Sequence, residues 1–274
     1  MSFTGDPGLN DSYGRRITYL RISVTDRCNL RCRYCMPDEC PHTLPQENVL
    51  SFEEIRAFAD AAVKNGIERI RITGGEPLTR KGITGLVGML RGIDGLKDLS
   101  MTTNGILLKG FARELKVAGL NRVNISLDTV DPEKYRWITR NGDLREVLQG
   151  IDAAEEAGLL PIKINCVVKG SSGDEDAVGV RAFCERRKLQ VRFIREMNLE
   201  NGEFAVVEGG TGGDCRICNK IRLSCDGNFR PCLFSDLSFN ARSLGAEEAF
   251  RTAVCAKPRI GTRSSLNKFN LVGG

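Results

Sequence analysis

The sequence reads as an α/β protein built on parallel strands, and three observations carry that reading. Six short apolar runs alternate with stretches of helical period, the βαβα rhythm of a parallel sheet. At 274 residues, 41% of them hydrophobic, the chain can bury one large core. Its least ordinary residues fall just after the expected strands, where parallel α/β folds collect their ligands. Periodicity leaves an open doubly wound sheet and a partial barrel equally available.

In order, residues 1–18 are polar and Gly-rich, expected as a loosely held lead-in. Over 19–25, Leu20, Ile22 and Val24 alternate with Arg21 and Ser23, a strand pattern. Ser51 opens a helix as N-cap, with Glu54 completing a capping box. Ile55, Phe58, Ala59, Ala62 and Val63 form its apolar stripe, and Gly66 ends it. Strands follow at 69–73, 99–103, 122–128, 162–168 and 191–196. Helices lie between them at 83–92, 111–118, 132–139, 144–157 and 175–187. After Glu196 the rhythm stops. Residues 200–214 read as a flexible Gly- and Glu-rich linker, and Asp226-Gly227 as a hairpin turn. The expected division is therefore a lead-in (1–18), a barrel or sheet domain (19–199), a linker (200–214) and a C-terminal extension (215–274).

Composition excludes several classes. No run approaches the ~18 apolar residues of a membrane span, and the N-terminus lacks a signal-peptide core, so a cytoplasmic protein without a membrane partner is expected. The net charge of +5 comes without a dense basic block, which suits an anionic small molecule better than nucleic acid. With His42 the single histidine, His-based triads are excluded. Eleven cysteines in such a chain point to metal or redox work.

Those cysteines fall in two groups. Cys28-Asn-Leu-Arg-Cys32-Arg-Tyr-Cys35 follows the first strand directly. Thiolates are soft ligands, suited to zinc or an iron–sulfur cluster. Three ligands leave one metal position open, and Cys40, five residues on, would close the site as a structural one. The second group is Cys215, Cys218, Cys225 and Cys232; a four-cysteine zinc ribbon and a second iron–sulfur cluster both fit its spacing. Cys166, Cys184 and Cys255 sit in strand or helix settings where a small buried thiol is expected. A separate pattern concerns charge: four strands carry a cation between apolar neighbours, at Arg21, Arg71, Lys163 and Arg192. If the apolar set packs on helices, these cations converge inside, which calls for an anion such as a phosphate chain.

The C-x3-C-x2-C loop with Tyr34 before its last cysteine resembles the cluster loop of radical S-adenosylmethionine (SAM) enzymes. Gly74-Gly75-Glu76-Pro77, Thr102-Thr103-Asn104-Gly105 and Asn124-Ile-Ser126-Leu-Asp128 resemble further motifs of that family. The resemblance implies a partial (β/α)6 TIM barrel with a small C-terminal extension carrying the second cysteine site. It also implies a [4Fe–4S] cluster on Cys28, Cys32 and Cys35, whose open iron binds SAM and yields a 5′-deoxyadenosyl radical. With both cysteine groups considered, residues 15–197, 215–235 and the tail are similar to the GTP 3′,8-cyclases of molybdenum cofactor biosynthesis. That similarity implies a second [4Fe–4S] cluster on Cys215, Cys218 and Cys232. It implies SAM contacts at Tyr34, Gly74, Gly75, Glu76, Ser126 and Met197. GTP contacts are implied at Arg21, Arg71, Thr102, Lys163, Arg192, Lys220, Arg222, Gly273 and Gly274. The expected partners are GTP, a one-electron donor of flavodoxin or ferredoxin type and a downstream molybdopterin-precursor enzyme; a homodimer is among the assemblies allowed.

The chain departs from that pattern in three places. The segment between Met197 and Cys215 is short, Lys220 stands where Arg is common, and Cys225 replaces a small hydroxyl residue. Two readings compete: a peptide- or protein-modifying radical SAM enzyme with an auxiliary cluster, and a non-catalytic zinc or iron–sulfur protein. Neither needs the converging cations or the Gly-Gly tail.

Overall fold

Strand pairing settles the choice that periodicity leaves open. In the computed structural model, which describes residues 9–36 and 43–273, β1 (Tyr19–Ser23), β2 (Arg69–Thr73), β3 (Asp98–Thr103), β4 (Arg122–Ser126), β5 (Lys163–Val168) and β6 (Gln190–Arg195) lie side by side. Each is parallel to the next. Their order is sequential, without the reversal that marks a doubly wound sheet. The sheet is a partial barrel, as expected.

Alternation along the strands places the core. Leu20, Ile22, Ile70, Ile72, Leu99, Met101, Val123, Ile125 and Ile164 are fully buried on the face that packs against helices. Those helices are α1 (Phe52–Lys64), α2 (Ile83–Arg91), α3 (Leu108–Val117), α4 (Pro132–Thr139), α5 (Leu144–Glu156) and α6 (Glu175–Arg187). The other face carries Arg21, Arg71, Ser100, Thr102, Asn124, Lys163, Asn165 and Arg192, because side chains of a strand alternate. The α1 cap forms as its sequence dictates: the Glu54 amide donates to Ser51 Oγ at 3.1 Å, and the Ser51 amide to Glu54 Oε2 at 2.7 Å. Helix α3 begins a turn before its expected start, its first turn closed by the Leu108 amide on the Gly105 carbonyl.

The C-terminal third joins the same sheet. β7 (Lys220–Leu223) pairs parallel with β1, setting Arg222 opposite Arg21, so β1 is flanked by β2 and β7. The expected hairpin turns back into β8 (Asn228–Arg230), and β9 (Phe239–Asn240) follows. α7 (Ala241–Leu244) and α8 (Ala246–Cys255) come next; Phe250 of α8 meets Phe229 of β8 edge-on at 5.5 Å. α9 (Phe269–Val272) places Val272, fully buried, against Leu199, Leu233 and Phe234.

Three expectations need correction. Residues 9–18 are not loosely held: Arg15 pairs with the buried Asp11 at 2.5 Å and donates to three carbonyls of the C-terminal third. The 200–214 segment is pinned by backbone pairing of Glu208 with Phe193 and of Glu203 with Asn198. Cys255 is exposed, because the last residue of α8 turns away from the stripe formed by Ala249, Phe250, Ala253 and Val254. Cys166 and Cys184 are buried as expected, whereas Cys40, His42 and Gly274 lie outside the described residues. No helix among the described residues is long and apolar enough to cross a membrane.

Candidate active site

The first cysteine loop leaves the C-terminal end of β1 and is held on two sides. On one side it pairs with the loop after β2: the Gly75 amide donates to the Thr25 carbonyl (2.7 Å) and the Glu76 amide to that of Arg27 (2.8 Å). A Cβ at Gly75 would fall onto the Arg27 carbonyl, so glycine is required there by the cysteine loop itself. On the other side the Arg31 and Arg33 amides donate to the carbonyls of Thr139 and Ile138 at the end of α4.

Cys28, Cys32 and Cys35 then face one cavity of about 190 Å³, which Tyr34, Gly74, Gly75, Glu76, Thr102, Ser126 and Met197 also line. The Cys28 sulfur accepts from the Leu30 amide (3.4 Å) and the Asn104 side chain (3.8 Å), donors that favour a thiolate and its metal. Burial and the neighbouring sulfur and Asp128 push the Cys35 thiol up to about 12, and Cys28 and Cys32 rise for the same leading reason. Three soft donors with mutually repelling charge fit a cationic cluster core.

Two buried carboxyls brace this cavity. Glu76, 1% exposed, accepts from the Leu78 amide (3.0 Å), Thr103 Oγ1 (2.8 Å) and the Asn104 amide (2.7 Å). Both its oxygens thus tie the loops after β2 and β3, a positioning role that the motif alone did not reveal. Burial pushes its carboxyl up to about 7 despite those donors. Asp128 accepts the Tyr34 hydroxyl and the Val167 amide, each at 2.8 Å. Burial raises it to about 6. The sequence singled out Asp128 within a motif but gave it no role.

The inward cations converge. Arg21 lies opposite Arg71 and Arg222 in register, and burial first, then Arg222, Arg71 and Arg192, holds its pKa well below the usual arginine range. Arg71, Lys163, Arg192 and Arg222 are lowered too, each chiefly by burial. Lys220 falls to about 8, by burial and then the repulsion of Arg21, Arg222 and Arg71, which outweigh the opposing pull of Cys218. Cations that depress one another inside a sheet favour a polyanion. Beside them, Thr102 Oγ1, Asn165 Oδ1 and both amide atoms of Asn124 are buried without a hydrogen-bond partner, polar groups that fit a ligand. Asn124 and Asn165 went unassigned from sequence, although strand alternation puts them on the cationic face.

The second cysteine group lies at the N-terminal side of β7. Burial raises the Cys218 thiol, but Lys257, the Lys220 amide and the Lys220 charge outweigh it and leave the pKa lowered. Cys232 also feels Lys257 and Arg222, although burial keeps its pKa raised. These soft donors among cations fit an anionic cluster. Cys225 stands apart from the other three: it is fully buried, pushed up to about 12 by burial and by Asp26 and Asp226, with Ser23 opposing them. Its neighbours are therefore those of the first loop's base, which removes the four-cysteine arrangement. Arg222 Nη1 holds the tail, donating to the carbonyls of Gly273 and Val272. Any side chain at Gly273 (φ +71°) would strike Thr73 Oγ1.

Comparison with known proteins agrees with this geometry. The model of the radical SAM superfamily matches residues 22–184. A GTP 3′,8-cyclase of Peptoclostridium acidaminophilum is 43% identical over 83% of this chain and 84% of its own. One from Thermodesulfovibrio yellowstonii is 40% identical over 86% and 88%. In structure, Streptococcus suis SuiB bound to precursor peptide SuiA superposes with a TM-score of 0.66 at 15% identity, over 89% of this chain and 66% of that one. SuiB bound to SAM gives 0.55 at 19%, over 68% of this chain and 43% of that one, less than half its length.

Proposed function

The chain belongs to the radical SAM superfamily and, within it, to the GTP 3′,8-cyclases, and on that premise we propose that it converts GTP to 3′,8-cyclo-7,8-dihydro-GTP, a lyase reaction of molybdenum cofactor biosynthesis. The observation that carries the reading is one of placement. A three-cysteine loop stands at the rim of a barrel whose inner wall is lined with Arg21, Arg71, Lys163, Arg192 and Arg222. A peptide-modifying enzyme has no use for that wall, and the relatives at about 40% identity are named cyclases.

Cys28, Cys32 and Cys35 would hold a [4Fe–4S] cluster, and Tyr34, Gly74, Gly75, Ser126 and Met197 would surround SAM. Bound there, cluster and SAM supply a 5′-deoxyadenosyl radical for abstraction of the ribose 3′ hydrogen. Arg21, Arg71, Lys163, Arg192 and Lys220 would grip the triphosphate, with Thr102 offering its unpartnered hydroxyl to the sugar. Cys215, Cys218 and Cys232 would hold a second [4Fe–4S] cluster beside the base with Arg222 next to it, and Gly273, held by Arg222 and packed on Thr73, would approach the substrate from the side of the first loop. Holding C3′ and C8 of one substrate in fixed register supplies the proximity the ring closure needs. Glu76 and Asp128 would fix the loops around the cavity. A cytoplasmic setting and a one-electron donor of flavodoxin or ferredoxin type complete the reading.

The test is an anaerobic incubation of the reconstituted chain with SAM, dithionite and GTP. GTP-dependent 5′-deoxyadenosine together with a cyclised nucleotide is expected. Deoxyadenosine released at the same rate without GTP, and no new nucleotide, would overturn the assignment.

A further inference from the structure

Behind the second cysteine group stands a buried lysine that none of the motifs accounts for. Lys257, 3% exposed, lies just beyond α8. Its Nζ donates to the Lys220 carbonyl at 2.7 Å and the Pro231 carbonyl at 2.8 Å, and its charge acts on the Cys218 thiol. Lys220 follows Cys218 by two residues and Pro231 immediately precedes Cys232, so one ammonium touches both segments that bear these cysteines. Among the described residues no carboxylate pairs with it. A buried charge is costly unless compensated, and the groups able to supply the anion are the two sulfurs. A methionine would fill the same volume without that cost.

The turn carrying Lys257 is itself fixed. Ser12 Oγ donates to the Cys255 carbonyl at 2.8 Å, and Arg15 donates to the carbonyls of Pro258 (2.7 Å) and Arg259 (3.1 Å). The same guanidinium donates to the Cys215 carbonyl at 2.6 Å, while Asp11 anchors its Nε. Lead-in, 255–259 turn and all three cysteine segments thus form one clasp.

We propose that Lys257, braced by Arg15, is a positioning residue for the second iron–sulfur cluster. It draws together the segments of Cys218 and Cys232 and supplies the positive charge that offsets their thiolates, and Arg15 fixes the segment of Cys215. The inference rests on the reading of Cys215, Cys218 and Cys232 as cluster ligands.

The experiment compares the full reconstituted chain with Lys257→Met, Lys257→Arg and Arg15→Gln, measuring iron per chain and the midpoint potential of each cluster by spectroscopic titration. The wild type is expected to hold about eight irons, the sum of two four-iron clusters. Lys257→Met either falls to about four or keeps its second cluster at a lower midpoint potential, since removing a cation disfavours the added electron. Lys257→Arg keeps both clusters and the wild-type potential, and Arg15→Gln moves in the direction of Lys257→Met by a smaller amount. The first cluster's potential, measured in the same sample, does not move. Lys257→Met with about eight irons and an unchanged second potential overturns the proposal. If Lys257→Met does not fold, Arg15→Gln decides: wild-type iron and potential there overturn it. A wild type with about four irons and one zinc overturns the two-cluster reading itself, before any variant is made.

Discussion

The two cysteine groups offer the same ligand chemistry in opposite electrostatic surroundings. Around Cys28, Cys32 and Cys35 the buried charges are carboxyls, Glu76 and Asp128, and burial with these neighbours drives the thiols up. Around Cys218 and Cys232 they are cations, Lys257, Lys220 and Arg222, and the Cys218 thiol is driven down. The first environment is matched to a cationic ligand, as SAM is through its sulfonium and ammonium groups. The second is matched to an anion. One sheet thus separates its two cysteine ends by charge, and under the proposed function a polyanionic substrate would lie across the cationic side with its reacting sugar towards the acidic one.

The sharpest way to break this comparison is to remove one group at a time. Cys28→Ser is expected to abolish SAM cleavage and halve the iron while the second cluster's spectrum persists; continued deoxyadenosine production would sink the open-cluster assignment. Cys218→Ser should remove the other half of the iron and with it GTP-dependent product. Product formed at the wild-type rate would mean the second group is structural. Next in size, Arg71→Ala removes one charge-assisted contact worth about 1.5–3 kcal/mol, so GTP should bind about 10- to 150-fold more weakly with SAM affinity retained. Equal losses for both ligands would place Arg71 outside the anion pocket.

A control touching neither site should give the smallest effect. Arg242 bonds Glu54 at 2.6 Å and holds its carboxyl down to about 2, joining α7 to the α1 cap. A depressed acid stabilises the fold above its unfolded pKa of about 4.3 and loses that contribution as pH falls towards 2. Arg242→Ala should therefore lower the melting temperature of the cluster-free chain slightly at pH 6, by about half as much at pH 3, and scarcely below pH 2. The pair is about one-third exposed, so the shift is small. A deficit that grows on acidification would contradict the sign.

Much of this molecule was legible before its coordinates. The six strands fall within a residue or two of their alternation, and the α1 cap is written in Ser51 and Glu54, because both signals are local. The inward cations were legible for the same reason: apolar neighbours on a two-residue period leave the charged set one face to occupy. What sequence could not place is what depends on distant pairing. The four residues of β7 are too few for a period, so their union with β1 was invisible, and with it the meeting of Arg222 and Arg21. Spacing put Cys225 among the second group, yet the hairpin turns its thiol towards Ser23 and Asp26. Lys257 is an ordinary lysine after an ordinary helix; only its burial and its two carbonyl acceptors distinguish it.

The place of β1 between β2 and β7 has a consequence for biosynthesis. β1 and the three thiols after it are synthesised about two hundred residues before the strand that closes its other side. Pairings of such separation form slowly. The nascent chain therefore carries an exposed strand edge beside unprotected thiols until β7 emerges, and any metal met in that interval meets the first loop before its barrel is closed.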